Sequence, residues 1–127
     1  MIYTSYLSNP VLKVNSDKYL VISIMRYTPS WFKGLICNEF APSEHFVKLS
    51  KSDAIEDYRL QVLIGEYVSQ LCNADVRDIL DTITSSTNKD IVFCCCETPD
   101  KFCHRRIFSW YIQSQLGINV QELNNEV

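Results

Sequence analysis

The chain has 127 residues, 46% of them hydrophobic, with 12 Lys and Arg against 15 Asp and Glu, a formal net charge of -3 and a pI near 5.3. That length and apolar content suffice for a single domain spanning 1–127 with a real core and leave little room for a second. The acidic balance excludes bulk electrostatic binding to a phosphate backbone, so an anion site must be local.

No apolar run reaches the roughly 18 residues of a membrane span. The opening stretch MIYTSYLSNPVLKV lacks a basic segment followed by an unbroken apolar one, as a secretory signal requires. The six cysteines are therefore expected as thiols of a reducing cytoplasm rather than as a disulfide framework.

In chain order, Met1–Tyr6 is a short β-rich segment. Tyr19–Met25, YLVISIM, is a stronger strand because it is nearly continuous in apolar and β-branched residues. The connector Asn9–Asp17 is short for a crossover helix, which leaves the pairing of these two strands open. Arg26–Pro42 reads as a long irregular loop punctuated by Pro29, Gly34 and Pro42, with Trp31 and Phe32 packing on the domain. A loop of this length is usually functional. Ser43 is placed to cap a short helix reaching Leu49.

From Asp53, a cap candidate, Ile55, Tyr58, Val62, Tyr67 and Leu71 recur at helical spacing and predict the longest helix. Asp75–Ile83 predicts a second, with Val76, Ile79, Leu80 and Ile83 on one face. The apolar run Ile91–Cys96 predicts a buried strand, the segment from about Lys101 to Leu116 a helix closed by Gly117, and Ile118–Leu123 a last strand. Strands alternating with helices predict a small Rossmann-like α/β domain, a mostly parallel central sheet flanked by helices.

The chemistry concentrates where the Ile91–Cys96 strand meets the next helix. Cys94, Cys95, Cys96 and Glu97 end the strand, and Cys103, His104, Arg105 and Arg106 open the helix. In open α/β sheets such junctions are where ligands bind. Two arginines in a first helical turn oppose the helix dipole, a cost that a bound anion or an acidic neighbour relieves. Glu97 is the internal candidate, and a Glu97–Arg105 bridge would then simply fix the loop. The functional reading adds Arg26 at the same sheet edge, so that guanidinium groups grip a phosphate, a carboxylate or a nucleotide.

Cys103, at a helix start beside His104 and two arginines, has the setting of a nucleophilic thiolate; the plainer reading is a capping or half-buried thiol. If the site turns over a substrate, Glu97 or His104 would move protons and Arg26 and Arg105 would stabilise the anion. A phosphatase-type loop is excluded, because it needs an arginine six positions after its cysteine, where Cys94, Cys95, Cys96 and Cys103 have Asp100, Lys101, Phe102 and Ser109.

Cys95-x-Glu97, five residues, then Cys103-His104-Arg105 resembles the C-x-E-x5-C-H-R signature of the domain-of-unknown-function 488 family, YeaO-like bacterial and phage proteins. Met25-Arg26 with Pro29-Ser30 is similar to that family's strand-end arginine and following turn, and Phe40-Ala41-Pro42-Ser43 to its middle motif. Tyr58-Arg59 and the stretch from Gly117 to Leu123 follow in the same order. The chain departs from the family at Ile24, where members often carry an acidic residue, and at Glu122, where they carry a histidine. The resemblance implies a small Rossmann-like domain without an established activity. With it, the expected ligand-binding residues are Arg26, Ser30, Ser43 and Arg105, and the expected catalytic ones Glu97, Cys103 and His104.

Metal binding is the second class to weigh. Cys95 or Cys96 with Cys103 and His104 would offer thiolate and imidazole ligands to zinc. The second close pair of a structural zinc site is missing, with Cys37 and Cys72 in separate segments, and no metal or cofactor is assigned. Cys94 and Cys96, which share a strand face, are expected in the core. Tyr27, Trp31 and Phe32 beside Arg26 would either stack on a base or pack the loop. His45 reads as a solvated helix residue. The expectation is a cytoplasmic protein binding an anionic ligand such as a nucleotide or a piece of nucleic acid. A non-enzymatic protein-interaction partner, of a phage-encoded kind, and a Cys/His metal-binding protein are the alternatives. No membrane partner is expected, and turnover and oligomeric state stay open.

Overall fold

The computed structural model describes residues 1–50, 57–97 and 103–126. Asp53, Ile55 and the helix start expected near Lys101 lie outside them, as do the side chains of Tyr58 and Arg59. The sheet is all parallel, in the order β3-β2-β4-β1-β5, with β1 at Ile2–Tyr6, β2 at Tyr19–Ser23, β3 at Leu35–Ile36, β4 at Asp90–Cys95 and β5 at Val120–Glu122. It forms an α/β domain with helices α1 (Pro10–Val14), α2 (Glu44–Ser50), α3 (Asp57–Asn73), α4 (Val76–Ser85) and α5 (His104–Leu116).

β4 is central because it is apolar on both faces: Ile91, Val92, Phe93, Cys94 and Cys95 are all 2% exposed or less. Ile91 and Phe93 join one core with Leu63, Tyr67, Leu80, Phe108 and Ile112 from α3, α4 and α5. Val92 and Cys94 join another with Leu7, Val11, Leu12 and Leu123. The alternation of a pleated strand thus assigns Cys95 to the side of α5 and Cys94 to the side of α1.

The connector between β1 and β2 holds the short helix α1. The buried Asn9 accepts from the Val11 amide at 3.0 Å and donates to Ser5 Oγ at 2.9 Å and to the Asn124 carbonyl at 3.1 Å, while Pro10 fills the first helical turn. The pairing left open by the sequence is settled by β4, which β1 and β2 each flank in parallel.

The predicted loop 26–42 contains β3 and a short 3-10 helix, Asn38–Phe40. β3 is a two-residue edge strand whose Leu35 and Ile36 are exposed, too short to leave a period in the sequence. Phe32 packs on the α1-side core as expected, whereas Trp31 faces solvent. β2 stops at Ser23, where its hydroxyl turns to Thr28 Oγ1 at 2.7 Å and takes the Met25 amide at 3.3 Å. Cys96 lies beyond the end of β4 and is exposed, correcting its expected core position.

Ser43 caps α2 as predicted, accepting the Phe46 amide at 3.1 Å. Gly117, at φ 67°, closes α5 in the left-handed region that favours glycine. Among the described residues, no helix is long and apolar enough to cross a membrane.

Candidate functional site

The carboxyl end of β4 and the amino end of α5 bring three donor side chains together. Cys95 ends β4, its carbonyl held by the Leu7 amide at 3.0 Å, and it is 1% exposed. Cys103 stands at the N-cap of α5 in extended backbone, φ -149° and ψ 148°, yet its side chain makes no capping hydrogen bond. It points instead at Cys95. The two sulfur atoms are bonded to each other as a disulfide, where free thiols were expected, and one ligand atom each of Cys95, Cys103 and His104 lies within 4.8 Å of the others. The α-carbons of the two cysteines are 7.5 Å apart, wider than the span of about 4.4–6.8 Å over which disulfides close. The backbone therefore presents two sulfurs converging on one point, at a spacing wider than a relaxed cross-link.

His104 is buried among aromatic rings, edge-on to Tyr67 with centroids 5.5 Å apart and to Phe46 at 6.2 Å. Its Nε2 lies 2.6 Å from the carbonyl oxygen of Ile24. A carbonyl only accepts, so Nε2 carries the proton and Nδ1 keeps its lone pair. That lone pair faces Cys103 Sγ at 3.7 Å. Burial, helped by the charge of Arg105 and opposed by the Ile24 carbonyl, pushes the imidazole down to about 4, so it is neutral at physiological pH. A carbonyl behind one ring nitrogen and a cysteine sulfur before the other is the arrangement that orients metal-ligating histidines.

Arg105 is fully buried and spends its donors on the protein. Nε reaches Glu122 Oε1 at 3.1 Å and Oε2 at 3.2 Å, Nη2 reaches Oε2 at 3.0 Å, and Nη1 donates to Cys95 Sγ at 2.9 Å and to the Glu97 carbonyl at 2.5 Å. The expected Glu97–Arg105 side-chain bridge is thus replaced by a Glu122–Arg105 pair. Parallel pairing of β1 with β5 opposes Glu122 to Thr4, whose hydroxyl donates to Oε1 at 2.8 Å.

The other anticipated residues are spread more widely. Glu97 is half-buried and offers Arg105 its carbonyl, while its carboxylate takes the Cys96 thiol at 3.7 Å. Arg26 is exposed, its guanidinium 6.0 Å over the Tyr27 ring. Ser30 is exposed, and Ser43 serves α2 and donates to Glu66 Oε1 at 3.4 Å. His45 is exposed beside Glu66, as a solvated helix residue should be. A separate open groove of about 510 Å³ is lined by Thr4, Arg106, Trp110, Gln113 and Glu122 among others, and so shares Glu122 with the buried cluster.

The sequence left two participants unresolved. Cys95 stood as an alternative to Cys96, although the period of two along β4 turns Cys95 toward α5. Glu122 was noted only as a departure from the family, since only strand pairing brings it to Arg105. No family model matches the chain, and neither a curated protein nor a solved structure matches it at a significant level.

Proposed function

We propose that this protein binds a soft divalent metal ion of the zinc class through Cys95, Cys103 and His104. The observation that carries the reading is the convergence of two cysteine sulfurs, which reduction would turn into thiolates, and one imidazole whose tautomer is held by the Ile24 carbonyl. Zinc takes thiolate sulfur at about 2.3 Å and imidazole nitrogen at about 2.0–2.1 Å, and donors within 4.8 Å of one another suit such a sphere. The N–H of Arg105 at Cys95 Sγ supports a thiolate there. Three protein ligands leave a fourth position, where water or a small anion would bind. Membership of the domain-of-unknown-function 488 family belongs to the same proposal: four side chains of its signature, Cys95, Cys103, His104 and Arg105, meet here.

Metal analysis tests it. Reduced protein loaded with zinc and desalted is expected to retain one equivalent, and Cys103→Ser and His104→Ala to lose it. Reduced wild-type protein emerging without metal would end this reading.

The groove at Trp110 favours a second reading, in which an anionic ligand such as a nucleotide stacks on the indole near Arg106. A nucleotide panel in a thermal-shift assay decides it: a ligand at about 100 times its Kd adds about 2.7 kcal/mol, and Trp110→Ala should remove that gain.

A further inference from the structure

We propose that hydrogen peroxide, or another two-electron peroxide oxidant, releases the ion by joining Cys95 and Cys103 in a disulfide, so that the site answers to oxidants. This deepens the metal reading and rests on it. The two sulfurs that would share the ion are the same two that pair as a disulfide in this structure, so one pair of atoms serves either state. Zinc has no redox chemistry of its own, and both electrons must come from the sulfurs.

Cys103, 6% exposed against 1% for Cys95, meets the oxidant first. Its thiolate attacks one peroxide oxygen; the O–O bond breaks, an S–O bond forms and hydroxide leaves, giving a sulfenic acid. The Cys95 thiolate, beside Arg105 Nη1, then attacks that sulfur; the S–S bond forms and the S–O bond breaks with loss of a second hydroxide. Two protons from solvent turn the two hydroxides into water. The balance is two thiolates, one hydrogen peroxide and two protons going to one disulfide and two waters. The ion, left with His104 alone, departs. Cys95 is tied into the sheet, so the adjustment between the metal-bound and the cross-linked state falls to Cys103.

The remaining cysteines do not compete. Cys94 packs on the opposite face of β4 with Leu7, Val11 and Leu12, and Cys37 is buried beside Phe40. Cys72 lies on α3 and Cys96 beside Glu97, both exposed. The double variant Cys72→Ser/Cys96→Ser therefore keeps the device and removes surface disulfides from the readout.

In the experiment, that double variant is reduced, loaded with zinc, desalted and treated with hydrogen peroxide, while a colorimetric chelator follows free zinc and peptide mapping follows the cysteines. The expected result is zinc release in step with a Cys95–Cys103 peptide, reversed by dithiothreitol and fresh zinc. Zinc retained under peroxide, or released with sulfonic acid at Cys103 and no cross-link, overturns the inference and leaves the metal reading intact. Protein that takes up no zinc before oxidant is added overturns both.

Discussion

Glu122 on the edge strand β5 is the counter-ion of Arg105 at the first turn of α5, the carboxylate meeting Nε and Nη2 at 3.0–3.2 Å. The pair joins the last strand to the helix that carries the cluster, and it answers the cost of a buried cation at a helix start. Glu122→Ala leaves a fully buried guanidinium without its carboxylate. Because Glu122 is 35% exposed and water can reach the vacated place, the expected loss is about 2–3 kcal/mol rather than more. Urea unfolding measures it, and Glu122→Gln, which keeps an acceptor, should lose less.

His104 makes stability depend on pH in the metal-free protein. The unfolded imidazole takes up its proton near pH 6.5, the folded one only near pH 4. Between those values the unfolded chain binds more protons, so this contribution is full above about pH 6.5 and is lost as pH falls toward 4, by about 3 kcal/mol in all. Urea midpoints at pH 7 and pH 4.5 should differ more in the wild type than in His104→Gln. Equal differences would show that the imidazole is not held neutral.

Thiol reactivity should divide the cysteines by burial. Desolvation raises the thiol of Cys94 to about 12, as it does that of Cys37 with the added effect of the neighbouring Glu39. Both stay protonated and shielded at neutral pH. Under brief iodoacetamide treatment of native protein at about pH 8, Cys72 and Cys96 should be alkylated first, and Cys37 and Cys94 only after unfolding. Peptide mass spectrometry reads the order, and early labelling of Cys94 would contradict the two-sided burial of β4.

Tyr67 offers a way to separate structure from the proposed metal site. Its hydroxyl, buried in the core, donates to the Phe40 carbonyl at 2.5 Å, anchoring the 3-10 turn to α3, while its ring edges against His104. Tyr67→Phe leaves that carbonyl without its partner and should cost about 1–2 kcal/mol. Zinc content should be unchanged, because the ring that frames His104 remains. Loss of zinc together with stability would assign the hydroxyl a part in positioning the histidine.

Local pattern was enough for much of this molecule. The β-branched run at Tyr19, the apolar run ending at Cys95, the helical period through Leu71 and the cap at Gly117 each express a preference that a few neighbouring residues satisfy among themselves. The motif from Cys95 to Arg105 likewise marked the strand-to-helix junction, because polar and ionisable residues break off the apolar run of β4 there. Strand order, the two-residue β3 and the roles of individual side chains lay outside such preferences.

What the sequence by itself determined, then, was an α/β chain with a Cys, His and Arg cluster between the last long strand and the last helix. Only the tertiary structure decided which partners meet there. Parallel pairing set Glu122 beside Thr4 and within reach of Arg105, the pleat of β4 turned Cys95 rather than Cys94 toward α5, and the end of β2 brought the Ile24 carbonyl to His104. Those residues are 17, 10 and 80 positions from their partners. At such separations the contacts are settled by how the sheet and helix pack, which no local run of residues encodes.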